Sequence, residues 1–394
     1  MKIGLLGQFG SGNSGNDGSL EAMLVFLRRA CPKAGLLCIC SDPAAIGERF
    51  ALEAVGIRGA SFSRPFFRAL DARLGRIPGR IASLVSMLRT AGRINVLVMP
   101  GTGILDDFQE TAFGWPFIVY GWCLAARLRG ARIAFVSIGA GPIHGRLSRW
   151  FLKSAVRLAD YRSYRDDYSL RYVQGLGIDT SSDHRFPDIA FGLRKPVRPA
   201  ATERPTTIGI GVMHYRGWQR DHVGAEAIYR TYLDKMLRVV RGLLDEGYDV
   251  RLFMGDTSDE TTLDDIRIAF AGSGGGRLSA ARTSSLHAVM EEIQKVDIAI
   301  VSRYSNLLCA LKIGRPTLSL GYAEKNDELM AEFGRIPFCQ HIETFDVDLL
   351  LRQVRIVLGD LHAAGKAIAR RNAMIRSELA KQQNLLLARV LVDR

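Results

Sequence analysis

The chain has 394 residues, of which 47% are hydrophobic, and carries a formal net charge of +13. This length and composition are typical of a soluble globular protein with two domains, each able to bury its own core. The least polar segment, TAFGWPFIVYGWCLAA (111–126), is shorter than the about 20 residues that span a bilayer, and it contains Pro116. We therefore interpret it as a buried helix.

The N-terminal stretch MKIGLLGQFG enters a strand and a glycine loop directly, without the longer apolar region and cleavage site of a secretory signal. We expect a cytoplasmic protein. The six cysteines form no CxxC pair, and Cys38 and Cys40 alternate within an apolar strand, so we predict reduced core residues. No spacing of Asp, Glu, His or Cys matches a metal-ligand motif, and we expect no metal.

Residues 58–93 form an arginine-rich amphipathic segment in which Asp71 is the only acidic residue. Its arginines alternate with Phe, Leu, Ile and Met, a pattern that suits an anionic membrane surface. A solvated helix on the first domain is the alternative. Nucleic acid is not expected as a partner, because no zinc finger, RRM or KH signature accompanies the charge.

Short apolar runs alternate with helical patterns along most of the chain, which predicts parallel sheets covered by helices on both faces. The eight runs are KIGLLG, GLLCICS, NVLVMPG, RIAFVSIG, TIGIGVM, DVRLFMG, DIAIVS and PTLSLGY. Proline and charge replace the periodicity at 194–205, which we interpret as a linker. The predicted organisation is an α/β domain over 1–195, a second over 206–345, and helices over 346–394, one of which we expect to pack back across both domains.

The loop after the first strand, GQFGSGNSGNDGSLEAM (7–23), has glycines in GxGxxG spacing, and Asp42 follows the second strand. This pattern is found in dinucleotide-binding folds. The loop also carries Asn13, Asn16 and Asp17, where a dinucleotide turn usually presents small residues. Asp17 is alternatively the N-cap of the following helix.

Polar residues also stand at the other strand ends, where ligands of open α/β sheets bind. In the first half these are MPGTGILDD (99–107), with Asp106 and Asp107, then SIGAGPI (137–143), RDDYS (165–169) and DIAF (188–191). With two domains, we expect the site in the cleft between the two rows of strand ends.

The second half places cations at successive strand ends. His214 and Arg216 follow one strand and project from the same face if that strand continues. Arg303 ends another strand, and Tyr322 and Lys325 follow the last one. Two arginines and a lysine predict a receptor for a small dianion that carries a carboxylate and a phosphate.

Taken in order, these motifs resemble those of the polysaccharide pyruvyl transferase family. The resemblance rests on GNSGND, GTGILDD, GAGP, RDDYS and DIAF, and on RYSN followed by GRPTLSLGYAEK. It covers about residues 4 to 330. It implies two Rossmann-like domains with parallel sheets, arranged as in GT-B glycosyltransferases, with the acceptor on the N-terminal domain and phosphoenolpyruvate on the C-terminal domain.

The resemblance also implies a reaction: the carboxyethylidene group of phosphoenolpyruvate is transferred to two hydroxyls of one sugar, which gives a cyclic ketal and phosphate. No cofactor is implied beyond this donor substrate. The expected substrate-binding residues are Asn13, Asp17, Arg216, Arg303, Tyr322 and Lys325, with Arg216 and Arg303 on the anions. The expected carboxylate that orients or deprotonates the sugar hydroxyl is Asp107.

Three positions depart from the family pattern. Thr102 replaces a glycine of the GGG-type turn, Asn16 is inserted before Asp17, and Ser305 stands where the family has the histidine of Arg-x-His. A serine hydroxyl is too weak an acid to replace an imidazolium near pH 7. Three explanations stay open: His214 supplies the proton, the acceptor differs, or the protein binds without catalysing.

Other functions compete with this one. The same architecture serves glycosyltransferases that use a nucleotide sugar, and Ser305 is compatible with a non-catalytic binding protein of polysaccharide assembly. The glycine loop alone is compatible with a nicotinamide oxidoreductase. We expect a transferase that acts on a cell-surface or exopolysaccharide precursor, sugar or lipid-linked, at the inner face of the membrane.

Overall fold

The computed structural model describes residues 1–59, 71–73, 76–197, 205–218, 223–272 and 276–392. The chain divides into two compact units. Unit 1 comprises Met1–Ser11, Ser19–Ile189 and Ala380–Arg394, and unit 2 comprises Gly12–Gly18 and Ala190–Leu379. The predicted linker lies mostly outside the described residues, and the predicted domain limits stay a prediction.

Unit 1 contains a parallel seven-stranded sheet with the order β3-β2-β1-β4-β5-β6-β7. Its strands are β1 (Lys2–Leu6), β2 (Gly35–Cys40), β3 (Glu53–Gly56), β4 (Val96–Pro100), β5 (Arg132–Ile138), β6 (Tyr161–Tyr164) and β7 (His184–Arg185). The central strands are uncharged over most of their length because helices cover both of their faces. β4, in the middle of the sheet, is buried at every residue.

The helices of this part of the chain are α1 (Ser14–Ala30), α2 (Pro43–Phe50), α3 (Ile77–Ala91), α4 (Trp115–Leu128), α5 (Arg146–Arg157) and α6 (Asp167–Gly175). The apolar segment 111–126 becomes α4, which buries nine of its residues. Pro116 stands in the first turn, where its missing N–H costs no hydrogen bond. The prediction of a buried helix is therefore confirmed.

Unit 2 contains a parallel six-stranded sheet with the order β10-β9-β8-β11-β12-β13. Its strands are β8 (Thr207–Gly211), β9 (Asp249–Phe253), β10 (Leu278–Ala281), β11 (Ile298–Val301), β12 (Thr317–Gly321) and β13 (Cys339–His341). Its helices are α7 (Ala225–Asp245), α8 (Glu260–Ala269), α9 (Leu286–Gln294), α10 (Tyr304–Ile313) and α11 (Glu324–Glu332). Short 3-10 helices lie at Ile189–Gly192, Thr257–Asp259 and Ile336–Phe338.

The end of the chain is helical, as the sequence predicted. It forms α12 (Val347–Leu358) and the long α13 (Leu361–Arg389). The residues of α13 up to Leu379 are grouped with unit 2 and those from Ala380 with unit 1. Within unit 1, the amide of Gln382 donates to Ser137 Oγ (2.7 Å) and Ser163 Oγ (3.1 Å) beside the sheet.

All eight apolar runs form strands, and α/β architecture with two parallel sheets is confirmed. One detail differs: β8 ends at Gly211, so His214 and Arg216 lie in the following loop rather than on an extended strand. Four of the six cysteines are buried, and none of the six, all of which lie in the described residues, forms a disulfide. Among the described residues, no helix combines the length and apolar character that crossing a membrane requires.

Candidate functional site

Two glycine-containing turns meet at the carboxyl ends of β4 and β5 in unit 1. The amide of Gly139 donates to Thr102 O (2.7 Å), and that of Gly141 donates to Leu105 O (2.7 Å). Thr102 has a φ of 68°, in the left-handed region where glycine is the usual residue. The GTG and GAGP motifs thus form one hydrogen-bonded structure, and the threonine is accommodated with backbone strain.

Asp107 follows this structure and is 8% exposed. Its Oδ2 accepts from the backbone amides of His144 (2.9 Å) and Gly145 (2.8 Å), immediately before α5. The carboxylate therefore satisfies donors at the positive end of that helix. Its Oδ1 is buried and accepts no hydrogen bond from the described residues. One oxygen fixes the side chain while the other keeps its hydrogen-bonding capacity.

The RDDYS and DIAF motifs also meet in unit 1. Asp166 is the N-cap of α6, and its side chain accepts from the amide of Ser169 (2.7 Å). Arg165 Nη1 lies 3.3 Å from the Asp188 carboxylate, and both side chains are almost fully buried. These residues consequently hold the turn together by caps and a buried ion pair.

In unit 2, the Gly12–Gly18 segment packs on the loop that follows β9. Ser14 Oγ donates to Gly255 O (2.6 Å), and the amide of Thr257 donates to Gly12 O (3.2 Å). Asn13 forms an antiparallel bridge with Asp256. Gly12 has a φ of 93°, which a residue with a side chain adopts only with strain.

The same segment starts α1, but not at the predicted residue. Asn13 Oδ1 accepts from the amides of Gly15 (3.0 Å) and Asn16 (3.3 Å), so Asn13 is the side chain that caps the helix. Asp17 lies in the first turn and is 8% exposed. The alternative of Asp17 as N-cap was therefore wrong, because the helix begins three residues earlier, at Ser14.

Ser305 lies against this segment, in the first turn of α10. A Cβ placed on Gly15 would be 3.0 Å from Ser305 Cβ and 3.1 Å from Asn13 Oδ1. Such distances are shorter than ordinary contacts, so a side chain at Gly15 would push the two segments apart. The structure thus brings Asn13 and Ser305, which are far apart in the sequence, close to the same glycine.

Arg303 is the N-cap residue of α10 and is 9% exposed. Its Nε and Nη2 donate to the two carboxylate oxygens of Asp259, at 2.5 and 2.6 Å, and Nη2 also reaches Ser258 Oγ (3.1 Å). Burial by itself would lower the pKa of Arg303, but the Asp259 carboxylate raises it above the usual value. The guanidinium is therefore charged and is held along one edge, whereas Nη1 lies 3.7 Å from Asp256 Oδ2.

His214 is joined to Arg303 through the same carboxylate. Its backbone amide donates to Asp259 Oδ1 (2.9 Å), and its Nδ1 is 3.3 Å from Thr262 Oγ1. The ring packs on Tyr229, with the ring centroids 4.4 Å apart. Burial, and to a smaller extent the charge of Arg216, lower the pKa of His214. The neutral imidazole consequently predominates at pH 7 in the unliganded protein.

The remaining predicted cations lie in more open positions. Arg216 forms an exposed ion pair with Glu226 (2.9 Å). Lys325 Nζ lies 4.7 Å from the centroid of the Tyr322 ring, a cation–π contact. The Tyr322 ring is also 6.4 Å from that of Trp218, so Lys325 stands beside an aromatic pair.

The structure therefore gathers Asn13, Ser305, Arg303 and His214 within unit 2, and places Asp107 in unit 1. Sequence reasoning missed Asp259, which is 0% exposed and bonds to both Arg303 and His214. The available signal was its position, because the acid-rich stretch GDTSDE (255–260) begins just after β9 at the same edge of the sheet.

Asn306 was missed as well. It is fully buried in the first turn of α10, and neither its Nδ2 nor its Oδ1 has a hydrogen-bond partner among the described residues. Its amide lies under the backbone of Gly211 and Gly255, where a Cβ would come within 2.8 and 2.5 Å of it. These glycines are required by that close approach. Within the described ranges, no group of three or more His, Cys, Asp or Glu side chains could hold a metal ion.

Solved structures share this fold. A co-structure of S. aureus MnaA with UDP aligns over 100% of this chain and 98% of its own, with a TM-score of 0.64 and 10% identity. UDP-GlcNAc 2-epimerase from Methanocaldococcus jannaschii aligns over 91% and 93%, with a TM-score of 0.61 and 10% identity. A mutant Thermobaculum terrenum O-GlcNAc transferase aligns over 98% of this chain and 66% of its own, with a TM-score of 0.53 and 15% identity. The chain thus has a two-domain α/β fold of the GT-B class.

The family follows from the sequence comparison. The model of the polysaccharide pyruvyl transferase family matches residues 13–324, most of the chain. The chain belongs to this family, which confirms the resemblance and indicates a transferase of polysaccharide biosynthesis. No curated protein sequence matches it significantly.

Proposed function

We propose that this chain transfers the carboxyethylidene group of phosphoenolpyruvate to two hydroxyls of one sugar in a polysaccharide precursor, forming a cyclic ketal and releasing phosphate. The observation that carries the proposal is the convergence, in unit 2, of three segments that are distant in sequence. They are Gly12–Gly18, the loop 255–259 and the turn 303–305. Apart from Gly12, all residues of the three segments fall within the range 13–324 that matches the family.

The donor carries two anionic groups, and unit 2 offers cations for both. Asp259 engages Nε and Nη2 of Arg303, so we assign Nη1 to the donor. Nη1 lies 3.7 Å from Asp256 Oδ2, longer than a hydrogen bond, and in this proposal an anion of the donor takes the place of that contact. The first turn of α10, at Tyr304, adds backbone amides at a positive helix end. We assign the second anionic group to Arg216 and Lys325, which are charged and more accessible.

The reaction requires one proton donor and one proton acceptor. A proton is added to the methylene carbon of phosphoenolpyruvate, and a sugar hydroxyl attacks the cationic carbon that results. Phosphate then leaves, and the second hydroxyl closes the ketal ring. The two hydroxyls release two protons: one balances the proton gained by the methyl group, and the other leaves with the phosphate.

In the proposal two positioned groups supply these roles: Asp107, which is buried, and His214, which is partly exposed. Asp107 Oδ1 has no partner among the described residues, and we assign it to the acceptor hydroxyl. We assign the acid to His214. Its pKa is lowered in the free protein, but an anionic donor placed beside it would favour the imidazolium and restore its proton. In this proposal Ser305 has no acid role; its small side chain accommodates the close approach of Gly15.

The binding test compares ligands by the melting temperature, because a ligand that binds only the native state must raise it. We expect phosphoenolpyruvate to raise the melting temperature, and a UDP-sugar or NADH to leave it unchanged. A rise with the UDP-sugar and none with phosphoenolpyruvate would overturn the proposal in favour of a nucleotide-sugar enzyme.

The site test uses Arg303→Lys, which keeps the charge but cannot hold Asp259 along one edge and present a third nitrogen. We expect its affinity for phosphoenolpyruvate in calorimetry to fall by about tenfold or more, a loss of ~1.4 kcal/mol. The matched control is Arg282→Lys, an exposed arginine paired with Asp264, which should bind like wild type. Circular dichroism checks that both variants are folded. Phosphate release that depends on a sugar acceptor then tests transfer.

A further inference from the structure

We propose that unit 1 docks on an anionic bilayer surface through the helical layer formed by α3, α4 and α5. We call this surface the α3–α5 face; α4 packs against both other helices. The sequence had assigned membrane binding to 58–93, but residues 60–70 and 74–75 of that segment lie outside the described residues. The α3–α5 face uses only the described part of it and adds two further helices. The proposal goes beyond the catalytic function.

Every charged residue within the three helices is basic, although Asp160 pairs with Arg127 and Asp71 accepts from the amide of Gly79 beside them. The three helices contain no Asp or Glu. Their basic residues are Arg80 and Arg89 in α3, Arg127 in α4, and Arg146, Arg149, Lys153 and Arg157 in α5. By contrast, α1 and α2 carry acids at Asp17, Glu21 and Glu48. The charge of the α3–α5 face therefore complements a surface of anionic headgroups.

Large apolar side chains on the same helices are exposed to solvent. On α3, Ile77, Ile81 and Val85 recur every fourth residue, and each is 40–57% exposed. On α5, Trp150 is 53% exposed and its neighbour Leu147 is 42% exposed. Exposed apolar side chains that recur along one side of a helix usually mark an interaction site rather than an ordinary surface.

Ring contacts join the three helices into one surface. The guanidinium of Arg80 on α3 lies 3.6 Å from the ring centroid of Phe113, just before α4. The Phe113 ring is 5.8 Å from that of Phe151 on α5. Next to it, the rings of Tyr120 on α4 and Trp150 on α5 are 5.3 Å apart. The apolar residues of α3 and α5 are thus connected through aromatic rings and a stacked arginine.

A bilayer surface fits both properties at once. Trp, Phe and Ile enter the headgroup and acyl boundary, while arginines bind phosphates above it. No described helix is apolar and long enough to span, so contact would be peripheral. Electrostatic attraction falls off within about 8–10 Å at 0.1–0.15 M salt, so binding must be sensitive to ionic strength.

The first experiment measures co-sedimentation of the full chain with vesicles of phosphatidylcholine, with and without phosphatidylglycerol. We expect binding to rise with phosphatidylglycerol content and to fall with salt. The variant Arg146→Gln/Arg157→Gln should reduce the partition coefficient on anionic vesicles by roughly fivefold for each arginine. The matched control, Arg238→Gln/Arg352→Gln, removes two exposed arginines from α7 and α12 and should bind like wild type.

The second experiment tests the apolar part with Ile81→Ser/Trp150→Ser, against the control Val25→Ser/Ile268→Ser at residues of similar exposure. We expect at least a tenfold loss of vesicle binding in the first variant only. The rise in melting temperature with phosphoenolpyruvate should stay unchanged in both, which separates this proposal from the catalytic one. Equal binding to neutral and anionic vesicles would overturn the proposal. The proposal would also be overturned if the wild-type protein self-associated without lipid and only Ile81→Ser/Trp150→Ser abolished that association. The α3–α5 face would then join two copies of the chain.

Discussion

Two buried aspartates at the carboxyl ends of the two sheets are used very differently. Asp259 in unit 2 accepts from Nε and Nη2 of Arg303 and from the backbone amides of His214 and Gly255. Asp107 in unit 1 accepts two backbone amides on one oxygen and leaves the other without a partner among the described residues. The first carboxylate is saturated, and the second is not.

This difference distinguishes a positioning role from a chemical one. A carboxylate with every lone pair engaged orients its partners but cannot take a proton from a substrate without breaking the network. A carboxylate that is anchored by one oxygen has a fixed position and a second oxygen for a ligand. We therefore interpret Asp259 as the residue that positions Arg303 and the loop at His214, and Asp107 as the candidate base.

The largest expected effect comes from Asp107→Asn. The amide oxygen can still accept from His144 and Gly145, so α5 keeps its cap, but the side chain can no longer take a proton. We expect kcat for phosphate release to fall by roughly 10²–10⁴-fold, with little change in the melting temperature. The measurement is steady-state kinetics together with thermal unfolding.

Asp106→Asn, at the neighbouring residue, is the control for this substitution and should keep most of the activity. If Asp107→Asn were as active as wild type, the Oδ1 atom of Asp107 would have no catalytic role. The two aspartates would then differ only in how they stabilise the surrounding structure.

Asp259→Asn should mainly affect stability. It removes the charge that compensates a buried guanidinium, and breaking such a pair costs about 3–5 kcal/mol. The free energy of unfolding in urea measures it. Asp264→Asn, at a partly exposed carboxylate paired with Arg267 and Arg282, should cost no more than about 1 kcal/mol. A loss equally small at Asp259 would show that Arg303 finds another partner, such as Asp256.

A pH dependence sharpens the assignment of His214, whose pKa is lowered by burial and by Arg216. The unfolded chain then binds this proton at higher pH than the folded one. The contribution of the neutral His214 to the free energy of unfolding is complete above the pKa of a histidine in the unfolded chain, about 6.5. It is lost as the pH falls from there through the lower pKa of His214 in the folded protein. We expect the decrease in stability between pH 8 and 5 to be smaller in His214→Gln. The control is His362→Gln, at an exposed residue of α13, whose free energy of unfolding should decrease over this pH range as much as that of the wild type.

The smallest expected effect is that of Thr102→Gly. A β-branched residue with a φ of 68° costs roughly 1–2 kcal/mol of strain, which glycine would relieve. Glycine also increases the conformational entropy of the unfolded chain, and this offsets part of the gain in stability. We expect a net gain of about 0.5–1 kcal/mol in the free energy of unfolding. A destabilised variant would show that the Thr102 side chain makes contacts that outweigh the strain.

The sequence by itself determined the architecture and the edge of each sheet at which polar residues gather. Its eight apolar runs became strands because a strand covered on both faces must be apolar along its length. The short edge strands β3, β7, β10 and β13 were not predicted. None of their residues is buried, so pairing with a neighbour rather than hydrophobic pattern decides that they are strands.

Only the tertiary structure decided which polar residues are partners. The sequence predicted that Arg303 faces an anion, and the anion along its Nε–Nη2 edge is Asp259, which is 44 residues away in the chain. It also could not show that Gly12–Gly18 would be grouped with unit 2, because the hydrogen bonds of that segment go to residues more than 200 positions further on. The periodicity of apolar residues shows which side of a helix or strand is buried. Hydrogen bonds between distant loops depend instead on how the strands are ordered in the sheet.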